Sequence, residues 1–304
     1  MSCRVIIAMA LPLLAQTPPD HADAGDVVIR TETRLVPLSV TVADSSHHLV
    51  TTLPQSAFQV YENDVLQPIK MFKREDVEIS LGLIIDNSGS MREKRAQVAT
   101  AALNLVKDSN AGDEVFIVNF NDEPNIDVEF TSDQAKMSQA LTKIDSRGGT
   151  AMRDAIHMAI THLKEKARKE KKVILVVTDG NDNTSRRKLE EVVREAQNSG
   201  VLLYAIGLLA QELPAEAAKA KTAIDSLTEA TGGEAFYPTT LDEVDRIAHH
   251  VAHDLRNQYS IAYSPTNEKL DSSYRQIKVV VTGPSNLVAR TRNGYYAGGS
   301  QALR

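Results

Sequence analysis

Apolar residues gather in the middle of the chain as short continuous runs: ISLGLII at 79–85, then EVFIVNF, KVILVVTD and VLLYAIGLL. Runs of this length without alternation are expected of strands buried on both faces of a parallel sheet. Between them the period lengthens. Met152, Ala155, Ile156, Ala159, Ile160 and Leu163 follow i, i+3, i+4, i+7 spacing, which puts them on one face of a helix. Leu189, Val192, Val193 and Ala196 repeat it, and Gly200 stands where a left-handed cap would end that helix. Alternation of strand and helix over residues 77–257 predicts a doubly wound, Rossmann-like α/β unit with right-handed crossovers.

The flanks carry a different pattern. VIRTETRLVPLSVTV and FQVYEND lie within residues 26–76; QYSIAYSP, YRQIKVVVTG and LVARTRNGYYAG lie within 258–298. These segments are rich in Val, Ile and Tyr and are bounded by Pro, Gly or Asn, as strands with turns are. Neither flank can easily bury a core alone. The expectation is that N- and C-terminal flanking strands pair into one small β-sandwich with the α/β unit inserted between them. The alternative is that each flank extends the main sheet independently.

Composition narrows the partners. A formal net charge of −6 lacks the basic excess of a nucleic-acid binder, so no nucleic-acid partner is expected. No stretch approaches the ~18 consecutive apolar residues of a membrane span. The opening MSCRVIIAMALPLLAQ places Arg4 ahead of an apolar segment, which predicts a signal peptide at 1–15, although Leu13 is not the small residue a cleavage site prefers. A linker at 16–25 and a tail at 299–304 complete the layout, and the protein is expected to be exported, either periplasmic or secreted. Cys3, the only cysteine, lies inside the leader, so the mature chain would have neither disulfide nor thiolate-bound metal.

In open α/β sheets ligands bind beyond the carboxyl ends of the strands. DNSGSM follows the first apolar run, RGGT precedes the helix that starts near Ala151, and TDGNDN follows KVILVV. These loops would bring together Asp86, Ser88, Ser90, Thr150 and Asp179, hard oxygen donors with no Cys or His among them. Such a set suits an octahedral divalent ion, Mg²⁺ or Mn²⁺. Its low negative charge would leave the ion electrophilic towards a carboxylate from outside. Gly89, Gly148, Gly149 and Gly180 would let the turns approach the ion closely. Each piece also has a plainer explanation. Ser90-Met91-Arg92-Glu93 has the form of a capping box, Thr150 stands where it would cap a helix, and Asp179-Gly180 is an ordinary turn pair. Capping leaves Asp86 and Ser88 unexplained, and with them the matching Thr and Asp of the other loops.

The D-x-S-x-S stretch, the Thr and the last Asp together resemble the metal-ion-dependent adhesion site of von Willebrand factor type A domains. The resemblance runs over roughly residues 78–257 and matches at Asp86, Ser88, Ser90, Thr150 and Asp179. The flanks look like those of the VWFA-related proteins of acidobacteria. The resemblance implies a bound Mg²⁺ or Mn²⁺, with Ca²⁺ also possible, and a protein ligand presenting an Asp or Glu. It implies binding rather than catalysis. In some relatives the last helix moves when the site fills; here that segment would be 241–255.

Other features carry less. His249 and His253 share a helix face but lack the glutamate of an H-E-x-x-H zinc site. His47 and His48 read as a turn, and KEKARKEKK at 164–172 as the solvated end of a helix. Tyr259, Tyr263, Tyr274, Tyr295 and Tyr296 suit half-buried strands. An enzyme is not expected: there is no G-x-x-x-x-G-K-[ST], G-x-G-x-x-G or G-x-S-x-G segment. The rival functions are a metal-dependent hydrolase or phosphotransferase using Asp86, and a metal-independent structural interaction module.

Overall fold

The computed structural model describes residues 34–298 apart from 47, 75, 109, 143–145 and 284–285. The expected signal peptide, linker and tail, the start of the N-terminal flank and His47 therefore lie outside the described residues.

The chain opens with β1 (Val36–Ala43), β2 (Phe58–Glu62), β3 (Val65–Gln67) and β4 (Ile69–Lys73). Next come β5 (Ile79–Asp86), α1 (Arg95–Lys107), β6 (Glu114–Phe120), β7 (Pro124–Thr131) and α2 (Gln134–Thr142). They are followed by α3 (Met152–Lys166), β8 (Lys171–Thr178), α4 (Leu189–Ser199) and β9 (Leu202–Gly207). The rest is α5 (Pro214–Thr231), β10 (Ala235–Phe236), α6 (Glu243–Arg256), β11 (Tyr259–Tyr263), β12 (Tyr274–Val281), β13 (Val288–Arg290) and β14 (Gly294–Tyr296).

The apolar runs form the centre of a six-stranded sheet in the order β10-β9-β8-β5-β6-β7. Successive residues of β5 point to opposite faces, as in any strand. Leu81, Leu83 and Ile85 join the core under α1 and α6, while Ile84 joins the core under α3, α4 and α5. Both faces are covered, so apolar residues fill positions 81–85 without alternation and the strand's polar residues, Ser80 and Asp86, lie near its ends. The expectation of a parallel sheet holds for its centre and fails at one edge, where β7 runs antiparallel to β6. β7 alternates between half-buried and exposed residues, the pattern of an edge strand with one wet face.

Helix α3 begins at Met152 and α4 at Leu189, and Gly200 caps α4 at φ 69° as expected. The start of α1 differs from expectation. Ser90 lies in a single 3₁₀ turn, α1 starts at Arg95 behind Lys94, and no side chain caps it. The S-x-x-E pattern is therefore not a capping box, because the Ser90 hydroxyl is engaged across the loops. Thr150 is no cap either: the N-cap of α3 is Ala151, without a side-chain bond. The basic run is also more than a helix end. It spans the last turn of α3, a connection and the start of β8, where Lys171 donates to the Leu255 carbonyl at the end of α6.

Strands from both flanks interleave in two four-stranded antiparallel sheets, β13-β1-β11-β4 and β14-β12-β2-β3. β1 pairs with β11 from Val36↔Tyr263 to Val40↔Tyr259, and β12 pairs with β2 from Ile277↔Glu62 to Val281↔Phe58. The sheets share one core, in which the Phe58 ring packs on Tyr259 at 4.8 Å and on Phe72 at 5.2 Å. Asn63 and Asp64, both at positive φ, make the two-residue turn between β2 and β3.

Glu62 is the polar centre of this sandwich. Its carboxylate accepts from Arg275 Nη1 at 3.1 Å and from the hydroxyls of Tyr263 and Tyr295 at 2.7 and 2.9 Å. A second buried carboxylate, Asp254 of α6, joins the sandwich to the α/β sheet. It accepts from Thr41 of β1 at 3.0 Å, Tyr204 of β9 at 2.5 Å and Arg290 of β13. Gln258 bridges Thr41 and Tyr204 at 3.0 and 3.1 Å. Among the described residues no helix is long and apolar enough to cross a membrane.

Candidate functional site

Chain order places β6 on one side of β5 and β8 on the other, so the crevice at the carboxyl end of β5 is a topological switch point. Asp86 is the last residue of β5, and Asp179 follows β8 directly; both are fully buried. Asp86 Oδ2 accepts the Thr178 hydroxyl at 2.5 Å, and Oδ1 accepts the Ser88 amide at 2.8 Å. Burial pushes the Asp86 carboxyl up to about 6, the bonds from Thr178 and Ser88 pull it down, and the Asp179 charge adds to the rise.

From there a chain of oxygens crosses between loops. Ser88 Oγ lies 3.1 Å from Ser90 Oγ, and Ser90 Oγ donates to Asp179 Oδ1 at 2.9 Å. Ser88 and Asp179 are buried while Ser90 is exposed, so the line reaches the surface at Ser90. Thr150 is buried against the third loop: its carbonyl accepts the amides of Asn183 and Thr184 at 3.0 and 3.3 Å. Its amide donates to Asn183 Oδ1 at 2.9 Å, and its hydroxyl faces Gly180. All the sequence-derived candidates therefore fall in one loop cluster.

The loops are braced by residues that sequence reasoning passed over. Asn87 ties the first loop to the second, its carbonyl accepting the Arg147 amide at 3.0 Å and its side chain accepting from Ser146 at 3.2 Å and from Arg95. Asp122 accepts the Gly149 amide at 2.8 Å. It crowds Gly148, where φ is +77° and an added Cβ would stand 2.2 Å from the carboxylate. Gly89 and Gly180 are different, since a Cβ would meet nothing closer than 3.9 and 3.8 Å. Lys94, also buried, completes the cluster: its ammonium lies 2.5 Å from Asp179 Oδ2.

The spacing bears on what the cluster can hold. Octahedral ligands at about 2.0–2.1 Å from Mg²⁺ stand about 2.9 Å from their neighbours, whereas Ca²⁺ at about 2.3–2.6 Å needs about 3.3–3.7 Å. The Ser88–Ser90 and Ser90–Asp179 oxygen separations of 3.1 and 2.9 Å match the smaller shell. Hydrogen bonds give the same spacing, and these two contacts are hydrogen bonds, so the separations are compatible with the smaller shell without being set by an ion. Among the described residues, no three His, Cys, Asp or Glu side chains converge in a way that could hold a metal. The hydroxyls are what make this cluster a candidate. His249 instead pairs with Asp108 and Asp245 on the outer face of α6.

A mixed α/β sheet with a cluster of oxygen donors in the loops at its switch point is the arrangement of a von Willebrand A fold. Residues 81–181 match the family model of the von Willebrand factor type A domain, and the chain carries such a domain. Among curated proteins, an uncharacterized protein of Borreliella burgdorferi is 23% identical over 210 residues, covering 68% of this chain and 60% of its own length. Inter-alpha-trypsin inhibitor heavy chain H4 of Sus scrofa is 29% identical over 138 residues, 41% of this chain and 15% of that protein. The matches thus span less than two thirds of either relative. Among solved structures, proximal thread matrix protein 1 from the mussel byssus, with a zinc-occupied MIDAS motif, aligns with a TM-score of 0.51 at 20% identity. That alignment covers 64% of this chain and 50% of the byssus protein, and it supports the fold alone.

Proposed function

We propose that this chain is an exported, metal-dependent protein-binding module of the adhesion type, not an enzyme. Asp86, Ser88, Ser90, Thr150 and Asp179 would hold a Mg²⁺ or Mn²⁺ ion. When bound, that ion supplies an open coordination position for an Asp or Glu carboxylate of a protein partner. The observation that carries this is the convergence of oxygen donors from separate loops, Ser88 to Ser90 at 3.1 Å and Ser90 to Asp179 at 2.9 Å, with Ser90 exposed between two buried partners.

The chain's own residues do the remaining work. Thr178 and the Ser88 amide fix Asp86, and Asn183 fixes Thr150, so the donors are positioned before any ligand arrives. Arg92 and Arg147, exposed on the first and second loops, favour the approach of an acidic partner. Export through residues 1–15 belongs to the same reading. Recovery of protein beginning at Gln16 from the host envelope or medium would check it.

The decisive measurement is calorimetric titration with Mg²⁺ and Mn²⁺. Wild type should bind, whereas Asp86→Ala and Asp179→Ala, shown folded by circular dichroism, should not. Retained affinity in either folded variant refutes the ligand assignment. Turnover of a phosphate or acyl ester by wild type, abolished in Asp86→Ala, would favour the hydrolase reading instead.

A further inference from the structure

Lys94 breaks a local rule. It is the N-cap of α1, a position that favours Ser, Thr, Asp or Asn, and a helix N-terminus repels a cation. It makes no side-chain cap bond. It is also buried, at 6% exposure, although lysine is rarely buried unless paired. A residue so poorly suited to its backbone position needs a tertiary reason, and its ammonium supplies one. Nζ lies 2.5 Å from Oδ2 of Asp179, whose Oδ1 takes the Ser90 hydroxyl. Lys94 is thus the counter-charge of the buried carboxylate in the cluster that lies nearest the exposed serine.

We infer that Lys94 is a built-in competitor for the cation position, an internal ammonium that a divalent ion must displace from Asp179. The inference rests on the proposed metal-binding reading. Asp86 and Asp179 are both buried, and their charges oppose each other in the loop cluster. With Lys94 in place one of them is neutralised, and the loops stay assembled without metal. A divalent cation brings more charge than the cluster then requires, and it has to share Asp179 with the ammonium or expel it. Sharing would hold like charges together in a poorly hydrated site, which is costly. Expulsion instead releases a long flexible side chain towards the surface beside Ser90. The consequence is a threshold: the site closes on itself at low divalent ion and opens to a partner only when the ion outcompetes the lysine.

The test compares wild type with Lys94→Met, Lys94→Gln and Lys94→Arg, using Mg²⁺ alone as the ligand. Calorimetry should show Met and Gln binding Mg²⁺ tighter on the order of tenfold or more, a shift of about 1.4 kcal/mol, with Arg no tighter than wild type. Gln keeps an N–H donor for Asp179 without the charge, so it covers the case in which Met does not fold. A second readout is acetic anhydride labelling of Lys94 followed by mass spectrometry. Labelling should be low in EDTA and rise on addition of Mg²⁺. Unchanged or weaker Mg²⁺ binding in both uncharged variants overturns the inference, because Lys94 would then support the site rather than compete for it. Saturation with Mg²⁺ while Lys94 stays protected also overturns it. If the uncharged variants bind and wild type does not, competition is upheld in its strongest form. If none of the four binds Mg²⁺, the metal reading itself falls, and the inference with it.

Discussion

Replacement of Glu62 by Gln tests whether the two flanks are held by one buried charge cluster. The substitution keeps the shape and removes the charge. Glu62 and Arg275 are 3% and 1% exposed, so water cannot take over for either. Burial pushes the Tyr295 hydroxyl up to about 12 and Tyr263 higher still, so both remain protonated donors at neutral pH. An amide has one acceptor oxygen where the carboxylate has two, and Arg275, Tyr263 and Tyr295 all donate to this site. If the amide oxygen faces Arg275, the NH₂ faces the tyrosines, and their protons lose an acceptor. Flipping the amide sets N–H against guanidinium. Breaking a buried pair in this way costs about 3–5 kcal/mol, a large share of a typical domain's stability. The assay is urea unfolding followed by circular dichroism, with Glu62→Leu/Arg275→Met as the double variant. The double variant should recover part of the loss, because it leaves no stranded charge although the Tyr263 and Tyr295 hydroxyls still lose their acceptor. A cost below about 1 kcal/mol for Glu62→Gln, or strict additivity in the cycle, would refute the reasoning.

Two further outcomes follow from the fold. Gly232 caps α5 at φ +84°, and a Cβ there would stand 2.4 Å from the Arg292 amide nitrogen. Gly232→Ala should therefore cost about 2–4 kcal/mol, combining the left-handed backbone with overpacking. Gly200→Ala, with nothing within 4 Å of its Cβ, should cost only about 1–2 kcal/mol; equal losses in denaturant melts would count against this account. Burial pushes Lys171 down from 10.5 to about 8, and although the residue is half-buried overall, its ammonium end is enclosed. Between pH 8 and 10 the unfolded chain then holds more protons than the folded one, so stability should rise with pH by up to about 3 kcal/mol. Lys171→Met should abolish that rise in a pH series of urea melts, and an identical slope in both proteins would contradict it.

Legibility in the sequence followed burial. β5, β6, β8 and β9 could be read because both of their faces are covered and their apolar runs are unbroken. β7 was missed: N-I-D-V-E-F alternates on an edge, and only its pairing with β6 makes it a strand. The candidate site was legible as residue types, since alternating oxygen donors after a buried strand have few other uses. What held those donors was not legible. Ser90 looked like a helix cap because its true partner, Asp179, lies 89 residues away. Lys94, Thr178 and Asp122 act through contacts that no local pattern announces. The basic run failed for a related reason: composition cannot tell a solvated helix end from the first residues of β8.

Asp254 gives the molecule a pinned joint. Its carboxylate sits near the end of α6 and is gripped from the sandwich by Thr41 and Arg290 and from the central sheet by Tyr204. Sliding α6 alone along its axis would break these bonds and strand a fully buried carboxylate, a cost that any movement of the helix has to meet. Tension on the helix would be passed to β1 and β13 through Thr41 and Arg290, and a twist of the sandwich would return along the same bonds. Movement of the helix and movement of the sandwich are thus coupled through a single side chain.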